Sequence, residues 1–97
     1  MIKKKFYIGV HPGEVLQDIL NESGISQVRL ARHLKISQSK INEICRGKRG
    51  ISPLMALRLA RAFGQSAELW IGLQKEWELS QVTESDYDDV ERIKLRA

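Results

Sequence analysis

Along most of this chain a serine or a proline opens each stretch and a glycine or a short polar break closes it, at intervals the length of a short helix. The pieces run from Pro12 to Gly24, from Ser26 onward, from Ser37 to Gly47, from Ser52-Pro53 to Gly64, and onward from Ser66. This punctuation constrains the fold more than any other feature. A serine at the N-cap accepts a hydrogen bond from a free amide of the first turn. Proline suits the first helical position because the N–H it lacks has no partner there, and glycine takes the left-handed conformation that ends a helix without a β-carbon penalty. No stretch alternates strictly enough to demand a sheet; Lys5 to Val10 is a weak strand candidate. The pattern predicts an all-α fold of five helices.

Within the pieces, apolar residues recur at helical spacing. Val15, Leu16, Ile19 and Leu20 stripe the first, with Glu14 near its positive end; Leu30, Ala31 and Leu34 turn inward on the second; Ile41 and Ile44 line the third. The fourth, from Leu54 to Phe63, is nearly apolar all round, which places it at the centre of the core with Arg58 and Arg61 snorkelling at its wet edge. Trp70, Leu73 and Trp77 stripe the fifth. Beyond Leu79 the pattern fades, and Tyr87, Val90, Ile93 and Leu95 outline one side of a short acidic helix starting after Ser85.

Ninety-seven residues supply one compact core, which excludes most large enzyme folds. The net charge of +4 hides an asymmetry: 12 basic and 4 acidic side chains through residue 64, against 4 basic and 8 acidic after it. A basic body thus carries an acidic end. Cys45 alone cannot make an internal disulfide, and two distant histidines give no zinc spacing, so no metal or cofactor is expected and a reducing cytoplasm is the simplest location. No apolar run approaches the roughly 20 residues of a membrane span, and the apolar stretch after Lys5 is too short for a signal-peptide core. No membrane partner is expected.

The second and third pieces, joined through Lys35-Ile36-Ser37, have the geometry in which one helix props another into a DNA major groove. The outward face of the third presents Gln38, Ser39, Lys40, Asn42 and Glu43: Gln and Asn bond bidentately to adenine, Lys to guanine, Glu to cytosine. Around it Arg29, Arg32, Lys35, Arg46, Lys48 and Arg49 offer charge to phosphates, and Gln27 at the start of the second helix offers an amide. Between Arg29 and Arg61 there are 9 basic residues and 1 acidic, Glu43. That density attracts any polyanion, and on charge alone a plain solvated cationic surface is an equal reading. The capped helix pair narrows the partner to double-stranded DNA.

The string Gln27-Val-Arg-Leu-Ala-Arg-His-Leu-Lys-Ile-Ser-Gln-Ser-Lys-Ile-Asn-Glu-Ile44 resembles the helix-turn-helix of the Cro and cI (lambda repressor-like) family, with Ala31 where the helices approach closely. Lys35 departs from that family's usual glycine. His11-Pro12-Gly13-Glu14-Val15-Leu16, the Gly-Lys-Arg-Gly of residues 47–50, Ile51-Ser52-Pro53, Met55 to Ala60 and Ser66-Ala67-Glu68 with Trp70 and Leu73-Gln74 resemble the HigA antitoxins, also labelled virulence-associated protein I. The resemblance spans about residues 9–79 and implies a five-helix DNA-binding domain there, with its helix-turn-helix at about 27–46 and an acidic extension over 80–97. It implies a homodimeric repressor that binds its own operator and neutralises an mRNA-cleaving HigB-type toxin; a stand-alone Cro/cI-like regulator is the alternative. By the family pattern Gln38, Ser39, Lys40 and Glu43 face bases and Gln27, Arg46, Lys48 and Arg49 meet the DNA backbone, while Asn42 either joins the base-contacting set or is carried by the turn of the helix toward the backbone or the protein.

Other residues invite chemistry and have plainer readings. His11, His33 and Cys45 lack an orienting carboxylate at a useful spacing, so no enzyme is expected; His11 shapes the entry to the first helix and Cys45 fills space beside Ile41 and Ile44. Trp77 suits core packing or an interface equally. The acidic group Glu84, Asp86, Asp88, Asp89 and Glu91 is either a solubilising tail or a complement to a basic toxin, and Lys3 to Lys5 are either an arm on DNA phosphates or a soluble terminus.

Overall fold

A computed structural model describes residues 9–96, and among them five helices and no strand: α1 (Pro12–Ser23), α2 (Gln27–Leu34), α3 (Gln38–Cys45), α4 (Pro53–Phe63) and α5 (Ala67–Gln81), followed by a single 3-10 turn at Glu84–Asp86. Gly9 and Val10 are not in a strand; the rest of the Lys5–Val10 candidate, and Lys3 to Lys5, lie outside the described residues.

The expected punctuation works at nearly every end. The Ser26, Ser37 and Ser52 hydroxyls accept from the amides of Arg29, Lys40 and Met55 at 3.0, 3.2 and 3.1 Å. Ser66 occupies the corresponding extended position of α5 without a side-chain bond. Gly24 and Gly64 close α1 and α4 at φ 68° and 70°. Lys35 closes α2 in the same left-handed region at φ 60°, where a side chain costs about 1–2 kcal/mol. Two returning amides offset that cost, Lys35 to the Arg32 carbonyl at 3.2 Å and Ile36 to the Ala31 carbonyl at 3.0 Å.

Leu16, Leu20, Leu30, Ile41, Ile44, Leu59 and Trp70 form the centre of one core, with the Trp70 indole N–H donating to Gln65 Oε1 at 2.8 Å. Gly13 lets α1 touch α3: a β-carbon there would run into the main-chain carbonyl of Ile44. At the other end of α1, Gly24 turns the chain into α2.

Three expectations are corrected. α4 is not enclosed: Met55, Ala56, Leu59 and Ala60 are buried, but Leu54 and Leu57 are 63% and 60% exposed, because α2 and α5 cover only one side of the helix. Arg58 does not simply snorkel; its Nη1 donates to the Leu34 carbonyl at 2.7 Å and satisfies the last turn of α2. No helix follows Ser85. Asp86 Oδ2 accepts from the Thr83 amide at 3.0 Å and its hydroxyl at 3.1 Å, closing the short turn instead, and the residues beyond are exposed. A helix of that length has no stability of its own without a surface to pack on. The radius of gyration is 17.0 Å, against about 13 Å for a compact chain of a hundred residues, and an exposed tail beyond the helices is consistent with the larger value.

Candidate nucleic-acid interface

α3 stands on the body through Ile41 and Ile44, both fully buried, so its opposite face is left to solvent by helical geometry. Gln38, Ser39 and Lys40, in its first turn, are exposed. The Ser37 hydroxyl that caps this turn also lies 3.5 Å from the Ser39 hydroxyl, so the end of the helix that would enter a groove is held by its own side chains.

The second half of α3 is engaged with the protein. Asn42 Nδ2 donates to Gln27 Oε1 at 3.2 Å, Gln27 Nε2 to Gln17 Oε1 at 2.8 Å, and Gln17 Nε2 to Asn21 Oδ1 at 2.9 Å. This relay of amides joins α3 to α2 and α1. Asn42 therefore turns toward the protein, while Gln27 keeps one amide hydrogen for an outside acceptor. Glu43 accepts from Arg49 through Nε at 2.8 Å and Nη2 at 2.7 Å. The two side chains expected to face DNA separately are bound to each other, and the pairing cancels the one carboxylate on a cationic face. An exposed pair of this kind is worth about 1 kcal/mol or less, so a phosphate can displace it.

The basic loop after α3 is equally well held. Arg46, Gly47 and Lys48 return their amides to the carbonyls of Asn42, Ile44 and Glu43 at 2.9, 3.0 and 2.8 Å, with Gly47 at φ 75°. At its far end the buried Gln74 of α5 accepts from the Ile51 amide at 2.7 Å and donates to Glu78 at 3.0 Å, and Gly50 leaves room for that side chain. Arg46 and Lys48 project from this frame exposed and, among the described residues, outside any ion pair. Arg29 projects from the first turn of α2 in the same state.

Gln17, Gln74 and Arg58 are structural supports of this face that the sequence reading did not assign. Gln74 left a signal, a polar residue one turn after Trp70 on an apolar stripe. Gln17 left a weaker one, at four-residue spacing from Asn21.

The residues that invited chemistry are not brought together. His11 caps α1 by accepting from the Gly13 amide at Nδ1, 2.9 Å, and meets Trp77 edge-on at 4.8 Å; burial lowers its pKa against the opposing pull of Glu14. Trp77 thus serves packing. Cys45 is half-buried at the end of α3, where burial raises its pKa, and His33 lies exposed on α2. Among the described residues no three His, Cys, Asp or Glu side chains gather as a metal site, and no helix is long and apolar enough to cross a membrane.

Comparison with known proteins adds to this geometry. The helix-turn-helix family matches residues 16–70. Virulence-associated protein I of Dichelobacter nodosus is 41% identical over 85 residues, 87% of this chain and 78% of the relative. Among solved structures, the Pseudomonas aeruginosa protein PA4674 in complex with its 18 bp operator DNA is 40% identical, with a TM-score of 0.84 over 90% of this chain and 99% of the other. Pseudomonas aeruginosa antitoxin HigA with the higBA promoter is 43% identical, with a TM-score of 0.76 over 84% of this chain and 89% of the other.

Proposed function

This chain belongs to the Cro/cI-type helix-turn-helix family, beside virulence-associated protein I and the HigA antitoxins, and from that membership we propose that it represses transcription from its own operator and neutralises an mRNA-cleaving HigB-type toxin. The observation that carries the DNA reading is the exposed first turn of α3, bearing Gln38, Ser39 and Lys40 on a rigidly held helix with Arg29, Arg46 and Lys48 around it. Toxin neutralisation rests on the antitoxin relatives. Residues 9–79 are assigned to DNA and 80–97 to an extension, in a cytoplasmic protein that joins the nucleoid when bound.

Binding follows from the charges and the shape. Lys and Arg contacts draw the domain to the phosphates and release counterions, which gives affinity without sequence information. Gln38 and Lys40 then read base edges, Gln27 donates its remaining amide hydrogen to the backbone, and a phosphate that takes Arg49 frees Glu43 to accept from a cytosine amino group. A two-fold dimer sets two such helices about 34 Å apart on one face of the duplex. Leu54 and Leu57, exposed one short loop beyond α3, supply an apolar contact for that two-fold.

The test has two arms. The full chain is titrated against the DNA upstream of its reading frame and against a scrambled duplex over a salt series; the expected preference is at least about a thousandfold, and equal affinity for both removes the repressor reading. The flanking reading frame is co-expressed with the chain. Copurification and rescue of growth are expected for an antitoxin, whereas operator binding without either leaves a stand-alone regulator.

A further inference from the structure

Between α2 and the end of α4, Ile25, Leu30, Ala62 and Phe63 floor a groove of about 440 Å³ rimmed by Arg29, Arg32 and His33. Through His33 and Ala62 it continues into a shallower stretch edged by Lys35, Arg58 and Arg61. No carboxylate lines either stretch, and among the described residues Arg29, Arg32 and Arg61 make no ion pair. Charge of one sign over a concave wall selects an anion. The floor selects which kind. A phosphate backbone has nothing to place against Phe63, whereas an acidic peptide with an aromatic side chain fills floor and rim together, its ring also open to arginine stacking.

This chain carries such a peptide. The Val90 amide donates to the Tyr87 carbonyl at 3.1 Å, closing a turn that brings Tyr87 and Val90 near each other, with Asp88, Asp89 and Glu91 alongside. Tyr87 is 56% exposed and Val90 75%, so their own molecule leaves both largely uncovered. Within one molecule no tail residue lines either stretch of the groove: α5 starts at Ala67, just after Phe63, and its 15 residues carry the chain about 22 Å before the tail begins.

We propose that the Arg29–Phe63 groove receives the Tyr87 segment of a second copy of this chain. Tyr87 lies on Ala62 and Phe63, and Asp88 and Asp89 face Arg29 and Arg32. Of these residues only Arg29 and Arg32 are also candidate phosphate contacts, and the inference does not depend on the operator reading.

The test replaces Tyr87 with photoreactive p-benzoylphenylalanine in the full chain and irradiates an equal mixture of isotopically light and heavy protein without DNA. Mass spectrometry then locates the cross-links. Links from position 87 to residues 29–33 or 62–63, joining light to heavy chains, are expected. They should fall at least about tenfold with Arg32→Glu or in about 1 M salt, where the screening length is about 3 Å, and recover when Asp88→Arg and Asp89→Arg are added to Arg32→Glu. Links confined to one isotope, links to another surface or to a copurified protein, indifference to Arg32→Glu, or no link would each overturn the proposal. None of these outcomes bears on operator affinity.

Discussion

The two halves of α3 differ although they share eight residues of one helix. In the first turn Gln38, Ser39 and Lys40 face solvent; in the second Asn42 is bound to Gln27 and Glu43 to Arg49. The tied half locates the helix on the body and the open half has side chains to spend elsewhere. The difference teaches that a recognition surface needs polar residues of two kinds, those that position and those that read. Cutting the first kind should cost stability before it costs specificity, and cutting the second should do the reverse.

The largest expected effect is on the supports. Gln74→Ala leaves the buried Ile51 amide without its acceptor and should lower unfolding free energy by about 1–3 kcal/mol, read as a lower denaturant midpoint. An unchanged midpoint would show that the basic loop does not depend on α5. On the open side, Gln38→Ala should leave the midpoint unchanged while weakening operator binding by about 1–3 kcal/mol and random-duplex binding hardly at all. Equal losses on both duplexes would move Gln38 to the positioning class.

A third expectation uses acid. Burial lowers the His11 pKa in the folded state, so the neutral ring, with Nδ1 free to accept from Gly13, is the form the fold prefers. The unfolded chain then binds more protons than the folded one between the lowered pKa and the ordinary value near 6.5. That stability is complete above about pH 6.5 and is lost as pH falls below it toward the lowered pKa. Thermal melts between pH 7.5 and 5.5 should show the slope, and His11→Asn, which retains an N-cap acceptor, should flatten it. A slope that survives in His11→Asn assigns the effect to other groups.

The smallest effects separate two arginines. Arg46→Ala should leave stability unchanged and reduce the slope of log affinity against log salt by about 1. Arg49→Ala should cost at most about 1 kcal/mol of stability, since its pair with Glu43 is half-exposed, and it leaves that carboxylate unpaired on the face proposed to meet DNA. If the two substitutions prove indistinguishable, the pairing has no bearing on binding.

What sequence could show was local. Ser26, Ser37 and Ser52 cap because a hydroxyl reaches an amide three residues on, a rule of spacing, and Gly24 and Gly64 end helices for a similarly local reason. α4 misled because periodicity identifies apolar positions without saying what covers them; Leu54 and Leu57 have no cover. The tail misled in the same way, with four apolar residues and no surface to receive them within the chain. On the polar face of α3 the exposed positions were legible from residue type, but the ties were not. Gln27 and Asn42 are 15 residues apart and Gln17 and Gln27 are 10 apart, separations that no helical repeat predicts.

Gly13 against the Ile44 carbonyl has a consequence for how such a protein changes over generations. Because α1 meets α3 through backbone, and Ile41 and Ile44 anchor α3 from beneath, the exposed side chains of Gln38, Ser39 and Lys40 do not fasten the helix to the body, Ser39 meeting only the Ser37 cap of its own helix. If those three side chains read the operator, as proposed, a lineage can exchange them and acquire a new operator while inheriting the same scaffold.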